Sequence, residues 1–312
     1  MIEQKDVKPF ISVVIPLYNK GEYILTTIKS VLNQTYSDYE VVIVDDGSTD
    51  DSVHIINDSF TDDKLKIYSK PNGGPSSARN FGVQKAHGVW VVFLDADDML
   101  LPFALEYFSR LIAKNDNIDY FVCNYFTGYN TKAKLFSLTK HEGLINNPFY
   151  LESTRELTER PGSAIIKKEL LIAHPFKEKL RRYEDAECQY EMMRGRKIYQ
   201  SSIPVMISDR GAGAASFIRK DYHEDFICSL NFENKSYWEQ MALYLLALEC
   251  KRAYPEQAEK RYNHIYKRMD LKAGYLMVKL RRLFYRAILH FIKPMEYDYS
   301  YLLNSRNYEE FK

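Results

Sequence analysis

The first third of the chain alternates short apolar runs with segments of helical periodicity. The apolar runs show no strict polar–apolar alternation, which is typical of strands buried on both faces of a parallel sheet. Four runs predict strands, at Ile11–Leu17, Glu40–Val44, Leu65–Tyr68 and Val89–Leu94. The segments between them predict helices, at Gly21–Gln34, Asp50–Phe60 and Ser76–Lys85. This order predicts an α/β fold: an open, mainly parallel sheet with helices on both faces.

The order of elements changes after Asp98. The pattern there predicts two more helices and two more strands, at Pro102–Ala113, Glu184–Arg194, Asp119–Phe126 and Ile198–Ser208. From about Phe217 onward the periodicity is almost entirely helical. We therefore predict an α/β domain over residues 1–218 and a helical C-terminal region over residues 219–312.

Polar side chains follow each of the first four predicted strands. They are Tyr18 and Asn19, then Asp45 and Asp46, then Asn72, and finally Asp95 and Asp97. Because ligands bind beyond the carboxyl ends of parallel strands, these groups are expected to meet at one cleft. Clustered carboxylates repel one another unless a cation is present. An Asp-x-Asp after a buried strand suits Mg²⁺ or Mn²⁺, which takes one or two carboxylates and bridges to substrate phosphates.

The same acidic residues also fit ordinary turns and helix starts, because aspartate is common there. Acidic residues after two different strands favour a site over that alternative. The Gly73–Gly74–Pro75 turn, with Arg79 close behind it, suits an anion. No GxxxxGK[ST] or GxGxxG follows the first strand, which disfavours a P-loop ATPase and a dinucleotide-binding domain.

Composition narrows the choice of partners. Hydrophobic residues make up 46% of the chain, enough for a sizeable core. The formal net charge is +1, so charge gives no case for a nucleic-acid partner. The four cysteines lack CxxC spacing, and neither a signal peptide nor an apolar run of about 20 residues is found. A cytoplasmic location is therefore expected.

Taken in order, these residues resemble the family 2 glycosyltransferases of the GT-A fold. The matching stretches are Val13–Asn19, Val44–Ser52, Asn72–Gly82, Phe93–Asp98 and, later, Tyr183–Cys188. The resemblance covers about residues 10–216. Processive members of this family carry a Gln-x-x-Arg-Trp element and membrane spans. Neither is found in this sequence, so we expect a non-processive enzyme that adds one sugar per encounter.

The resemblance implies a donor site built from five matched residues. Pro16 and Tyr18 would flank the nucleotide base, and Asp46 would hydrogen-bond its edge. Arg79 would lie against the base and the diphosphate, and Asp95 would contact the ribose. The donor would be a nucleotide-diphosphate sugar, with a UDP-sugar favoured.

The resemblance also implies the metal ligand and the catalytic base. Asp97 would ligate the Mn²⁺ or Mg²⁺ that holds the diphosphate, and Asp185 would take the proton from the acceptor hydroxyl. Glu184 is the alternative base, because Tyr183 stands where the family usually has glycine. The pair also fits a plain helix start, which favours acidic side chains. A single displacement with one base would invert the anomeric configuration.

The implied reaction is transfer of a hexosyl or N-acetylhexosaminyl group to a glycan or lipid-linked acceptor, in the synthesis of a cell-surface polysaccharide or glycan. Two other functions fit the same kind of sheet. A sugar nucleotidyltransferase would carry a Gly-rich, basic loop straight after the first strand, and Leu17–Gly21 matches that poorly. A non-catalytic binding protein is disfavoured by the retention of both aspartate sets and of the Glu-Asp pair.

The segment Leu271–Lys293 predicts an amphipathic helix without Asp or Glu. Its apolar stripe comprises Leu276, Leu280, Leu283, Phe284, Ala287, Ile288 and Phe291. The basic residues Lys272, Lys279, Arg282, Arg286 and Lys293 lie largely opposite, with Arg281 on the flank. Such a helix fits the inner face of an anionic membrane, which suits a lipid-linked acceptor. It also fits a helix that packs its stripe onto the catalytic domain.

Overall fold

The computed structural model describes residues 10–129, 131–135, 141–154, 156–157, 159–209, 221–291 and 296–311. Of residues 129, 282 and 284–291 it describes the backbone alone. The strands are β1 (Ile11–Leu17), β2 (Tyr39–Asp45), β3 (Leu65–Ser69), β4 (Trp90–Phe93), β5 (Met99–Leu100), β6 (Tyr120–Tyr129), β7 (Lys132–Leu135), β8 (Gly143–Ile145), β9 (Ala164–Lys167), β10 (Ile198–Asp209) and β11 (Glu296–Asp298). The helices are α1 (Ile24–Leu32), α2 (Ser52–Ser59), α3 (Pro75–Lys85), α4 (Ala104–Lys114), α5 (Pro148–Thr154), α6 (Lys168–Ala173), α7 (Glu184–Met193), α8 (Tyr237–Ala253), α9 (Pro255–Tyr266), α10 (Met269–Phe291) and α11 (Tyr299–Asn304).

The strands form one open sheet in the order β11-β7-β6-β9-β4-β1-β2-β3, with β10 beside β6. Strands β1, β2, β3 and β4 are mutually parallel where they pair. The sheet is mixed beyond β4, because β9 runs antiparallel to both β4 and β6. The carboxyl ends of the four N-terminal strands therefore share one edge, which we call the rim.

Both faces of the sheet are covered, as predicted. Alternate residues of β1 point into two separate hydrophobic clusters, with Val14 in one and Val13 and Ile15 in the other. Helix α3 packs closely on the first face, since a Cβ at Gly82 would lie 2.3 Å from Val14 Cγ1. The predicted α/β fold with a helical C-terminal region is confirmed.

The C-terminal region also contributes to the sheet. After the three helices α8, α9 and α10, strand β11 pairs antiparallel with β7 at the sheet edge. The rings of Tyr308 and Phe311 then pack against Phe103, at 6.1 and 5.8 Å between centroids. The predicted domain boundary near residue 218 lies among residues 210–220, outside the described part of the chain, and stays a prediction.

Helix α10 packs with a face that its hydrophobic pattern does not indicate. Leu271 and Val278 are fully buried, and a Cβ at Gly274 would lie 2.2 Å from the Tyr237 hydroxyl. Arg281 also faces inward, at 2.8 Å from a Glu156 carboxylate oxygen. Arg281 was predicted on the flank of the helix, and its side chain is 38% exposed there beside this acidic partner.

The predicted apolar stripe of α10 points away from the domain over its described part. Leu276, Leu280 and Leu283 are 56%, 58% and 51% exposed. Packing of these three residues onto the catalytic domain is therefore excluded. The side chains of the remaining stripe residues, 284–291, lie outside the described part. Among the described helices, none has the length and apolarity that crossing a bilayer requires.

Candidate active site

The loops after β1 and β2 are tied together at the rim. Asn19 adopts a left-handed backbone conformation with φ 51°, and its side-chain oxygen accepts from the backbone N–H of Thr49 at 2.8 Å. In return, Ser48 Oγ accepts from the backbone N–H of Asn19 at 3.1 Å. This arrangement leaves the Tyr18 ring 49% exposed at the rim, next to the end of β1 that carries Pro16. Both predicted base-flanking residues therefore lie at the expected edge.

Asp46 fastens the glycine turn to the end of β2. Its Oδ1 accepts from Lys70 Nζ at 2.6 Å and from the Gly73 N–H at 2.9 Å. Its Oδ2 accepts from the Gly74 N–H at 2.6 Å. Both carboxylate oxygens are thus engaged by the protein, and the part of Asp46 in base recognition stays a prediction. The bonds fix the N-terminus of α3, which follows Gly74.

The glycine turn also contacts the segment before α7. Arg181 Nη1 donates to the Gly73 carbonyl oxygen at 2.6 Å. A Cβ on Gly74 would lie 1.5 Å from that same guanidinium nitrogen. Gly74 further has φ 85°, a backbone conformation that favours glycine, and a larger residue there would also displace the Arg181 guanidinium.

Arg79 connects Asp95, which follows β4, with Glu184 at the start of α7. Its Nη2 donates to Asp95 Oδ1 at 3.0 Å, and its Nη1 donates to Glu184 Oε1 at 3.1 Å. Its guanidinium lies 5.4 Å from the Phe176 ring centroid. Burial lowers the pKa of Arg79, but Asp95 and Glu184 outweigh burial and raise it above the ordinary value. A buried, permanently charged guanidinium therefore joins β4, α3 and α7.

The Asp-x-Asp segment lies beside a lysine from the β1 loop. Lys20 Nζ donates to Asp97 Oδ2 at 2.5 Å. Burial raises the pKa of Asp97, Lys20 opposes this, and the like charge of Asp95 adds to it. Asp98 has a different task, because its buried carboxylate accepts from the Asp209 N–H at 2.9 Å.

The acidic pair stands at the start of α7. Tyr183 precedes it with φ 55°, a left-handed conformation that is unusual for an aromatic residue. Burial raises the pKa of Glu184, and the neighbouring Asp185 adds to the rise. Glu184 is engaged by Arg79, whereas Asp185 forms no ion pair with the described residues. This difference favours Asp185 as the residue left to accept a proton.

The sequence missed four residues that shape the site: Lys20, Lys70, Arg181 and Glu159. Lys20 follows Tyr18 and Asn19 directly, so its place at the rim could have been inferred. The other three lie in segments without a motif, and only the fold brings them to the rim. Glu159 and Asp185 line a narrow cavity together with Arg79.

The carboxylates fit a cation that is shared with a ligand. The described residues contain no group of three or more His, Cys, Asp or Glu that could hold a metal ion. Mg²⁺ and Mn²⁺ need no such group when phosphates complete their coordination. Asp97 at the rim, with Asp95 two residues away, suits that arrangement.

Residues 12–172, just over half of the chain, match the family model described as Glycosyl transferase family 2. The chain belongs to this family. The chain is 30% identical over 176 residues to the uncharacterized glycosyltransferase YibD of Escherichia coli (strain K12), a match that covers 54% of this chain and 51% of YibD. It is 41% identical over 123 residues to chondroitin synthase of Pasteurella multocida (strain Pm70), covering 39% of this chain and 12% of the synthase.

A solved structure shares the fold of this chain. It is S. aureus TarS 1-349 in complex with UDP-GlcNAc, with a TM-score of 0.63 and 20% sequence identity. The match covers 86% of this chain and 79% of that one. At this level of identity the likeness shows the fold alone. The two curated relatives are longer, and the chain spans about half of the one and about an eighth of the other.

Glu159 makes the stability of the folded protein depend on pH. Burial raises its pKa to about 8, the Tyr120 hydroxyl that donates to it opposes the rise, and Asp185 adds to it. The folded state thus holds a proton that the unfolded state releases near its ordinary pKa of about 4.3. The Glu159 contribution to the free energy of unfolding is full below that pH and falls as the pH rises to about 8.

Glu159→Gln removes this titration, because an amide stays neutral. We therefore expect the Tm of the variant, relative to that of the unmodified protein, to increase between about pH 5 and pH 8. Thermal unfolding of both proteins across this range measures the difference. A difference in Tm that stays constant with pH would contradict the raised pKa.

Proposed function

We propose that this glycosyltransferase moves a sugar from a nucleotide-diphosphate sugar to a hydroxyl of a glycan or lipid-linked acceptor, with inversion and one sugar per encounter. The observation that carries the proposal is the position of Arg79. It lies between Asp95 at the end of β4 and Glu184 at the start of α7, at 3.0 and 3.1 Å. The proposed donor side and the proposed base are thereby held at one edge of the sheet.

The rim supplies the groups that donor binding requires. Tyr18 offers an exposed ring to the base, and Asp95, 36% exposed, is open to the ribose. Arg79 supplies fixed positive charge where the leaving diphosphate gains negative charge. Asp97, with Asp95 near it, would hold Mn²⁺ or Mg²⁺, which supplies further charge neutralisation when bound.

The proposed reaction is a single displacement. The acceptor oxygen forms a bond to the anomeric carbon while the bond from that carbon to the diphosphate oxygen breaks. The electron pair leaves with the nucleotide diphosphate, and the acceptor proton goes to an Asp185 carboxylate oxygen. A sugar hydroxyl is a weak nucleophile, so a positioned carboxylate contributes substantially. The anomeric carbon gains oxocarbenium character, as in glycoside hydrolysis.

Three considerations support a UDP-linked hexose or N-acetylhexosamine as donor. The sequence motifs favour a UDP-sugar, a structure that shares the fold is a complex with UDP-GlcNAc, and one relative is a chondroitin synthase. The third of these also directs the proposal toward polysaccharide or glycan synthesis. The family match disfavours the sugar nucleotidyltransferase.

UDP should stabilise the folded protein more than GDP does in the presence of Mn²⁺. At a hundredfold excess over Kd, one bound ligand adds about 2.7 kcal/mol to the free energy of unfolding. We expect a rise in Tm of several degrees in a thermal-shift assay. Incubation with UDP-sugars and Mn²⁺ should then release UDP.

Two outcomes would redirect this proposal. Release of pyrophosphate from a nucleoside triphosphate and a sugar phosphate would identify a nucleotidyltransferase. UDP binding without any hydrolysis or transfer, across a panel of UDP-sugars, would support the non-catalytic binding protein. An equal response to both nucleotides would contradict the preference for UDP.

We further propose that α10 rests on the cytoplasmic face of an anionic membrane, where a lipid-linked acceptor would lie. Leu276, Leu280 and Leu283 are exposed in its described part. Lys272 and Lys279 are exposed on the same helix, and no acidic residue follows Asp270 within it. Exposed leucines next to an excess of basic charge are typical of interfacial helices.

Replacement of Leu276, Leu280 and Leu283 by serine should weaken binding to vesicles of phosphatidylglycerol and phosphatidylcholine. Each leucine contributes about 1.5–3 kcal/mol when fully buried, so we expect at least a tenfold loss of co-sedimentation. Ile172→Ser is the matched control, because this residue is 62% exposed on α6. Equal binding of both variants, or binding that salt does not weaken, would refute the membrane contact.

A further inference from the structure

A groove of about 440 Å³ lies beside α7, on the side formed by the C-terminal helices. We call it the tyrosine groove. It is lined by four aliphatic residues of α8 and by Glu152, Tyr183, Tyr190, Glu249, Arg252 and Tyr275. These residues come from α5, α7, α8, α10 and the position just before α7. The volume falls within the range of about 300–1,000 Å³ that is usual for ligand sites.

The groove starts next to the acidic pair. Tyr183, one of its lining residues, directly precedes Glu184, whose carboxylate accepts from Arg79. The lining residues on α8 run from Ala242 to Arg252, ten residues along the helix. At 1.5 Å per residue this is about 15 Å, longer than a single sugar ring. A ligand in the groove can therefore extend away from the proposed base.

The chemistry of the lining matches a saccharide. The half-buried Tyr183 and Tyr275 offer ring surface for the apolar side of a sugar and hydroxyls for its polar edge, whereas Tyr190 is buried at the wall. Glu152, Glu249 and Arg252 provide acceptors and donors for sugar hydroxyls. Arg252 Nη1 donates to Glu249 at 2.9 Å. With two carboxylates and one guanidinium, the lining disfavours an anionic sugar.

The backbone at Tyr183 is a second, independent observation. Its φ of 55° and ψ of 25° place an aromatic residue in a conformation that favours glycine. The ring is held by the Arg182 guanidinium at 4.9 Å from its centroid, and Arg182 donates to Asp225 at 3.4 Å. Backbone strain of this kind concentrates at functional sites, where surrounding contacts hold it in place.

We propose that the tyrosine groove binds a neutral saccharide unit of the acceptor and that Tyr183 positions that unit beside Asp185. The proposal rests on the proposed sugar transfer and names the part of the chain that selects the acceptor. The nucleotide lies at the rim, and the acceptor chain lies along α8.

The test is binding of neutral tetrasaccharides of glucose, galactose and N-acetylglucosamine, measured by saturation-transfer NMR and titration. Tyr183→Gly removes the ring and suits the left-handed backbone, so it changes the groove without adding strain. Glu249→Gln changes a second wall residue at constant size. Glu256→Gln on α9 is the matched control, because this glutamate is exposed and outside the groove.

We expect at least one tetrasaccharide to bind, and each groove variant to weaken it at least tenfold, or about 1.4 kcal/mol. The control and the Tm response to UDP should not change. Binding by none of the three, or equal binding by both groove variants, overturns the proposal. A protein that binds the tetrasaccharide but not UDP would instead contradict the proposed donor site, so the two failures are distinguishable.

Discussion

Asp185→Asn should lower the rate of sugar transfer by about 10²–10⁴-fold, the usual contribution of a positioned general base. The amide keeps the size of the side chain and loses its capacity to take a proton. Nucleotide binding should be unchanged, because the groups proposed to hold the nucleotide lie on β1, β2, α3 and β4. The measurement is kcat for transfer, together with the Tm response to UDP.

Glu184→Gln provides the comparison that assigns the base. Glu184 accepts from Arg79 at 3.1 Å, and Arg79 is buried. Loss of that carboxylate removes one of the two ion pairs of a buried guanidinium, which is costly. We therefore expect this variant to lose stability and UDP affinity together.

The opposite pattern would reassign the base. If Asp185→Asn transfers sugar at the unmodified rate, while Glu184→Gln binds UDP normally and transfers nothing, then Glu184 is the base. In that case the ion pair with Arg79 would have to open during the reaction.

The N-terminal half of the sheet could be predicted from the sequence because its strands are buried on both faces. Strand β1 was predicted and is found at Ile11–Leu17, and β3 differs from its prediction by one residue. A continuous run of β-branched residues fits few structures other than a strand in the middle of a parallel sheet. The position of the rim could be predicted from the same pattern, because parallel strands have their carboxyl ends at one edge.

The pairs that join the site could not be predicted. Lys20 and Asp97 are 77 residues apart, and Arg79 and Glu184 are 105 apart. Each motif indicates a polar group at a strand or helix end, but not which opposite charge it meets. The Arg79–Glu184 bond also depends on the left-handed backbone at Tyr183, which a sequence pattern does not reveal.

The packed face of α10 shows where periodicity fails. The hydrophobic stripe indicated Leu276, Leu280 and Leu283 as a side that either a membrane or the catalytic domain would cover. The helix instead packs with Gly274 against Tyr237 and with Arg281 against Glu156. Neither glycine nor arginine counts as apolar in a pattern, yet close approach at Gly274 and a partly exposed ion pair at Arg281 accompany the contact. Tertiary partners thus overrode the local signal.

Strand β11 was missed for a related reason. It has three residues, Glu296–Asp298, too few for any period to be recognised. It is a strand because its backbone pairs with β7 at the sheet edge. Only the return of the chain from α10 creates that pairing.

Asp97→Ala should abolish the gain in Tm that UDP gives with Mn²⁺ and lower transfer by at least about 10²–10³-fold. A hard cation at this site would have few protein ligands, so the loss of one carboxylate removes much of its binding. Asp116→Ala is the matched control, because Asp116 is exposed and follows α4, outside the rim motifs.

Lys20→Met tests whether Asp97 acts by binding a metal ion or only by pairing with the Lys20 ammonium. Lys20 Nζ lies 2.5 Å from Asp97 Oδ2, so a divalent cation competes with this ammonium for the same carboxylate. With the lysine removed, Mn²⁺ should bind Asp97 at least as well, and the Tm gain from Mn²⁺ and UDP should persist. With Asp97 removed, the Tm gain should be equal in Mn²⁺ and in EDTA. A full Mn²⁺-dependent gain in Asp97→Ala would place the cation elsewhere, and the site would then bind the diphosphate through Arg79 and Lys20.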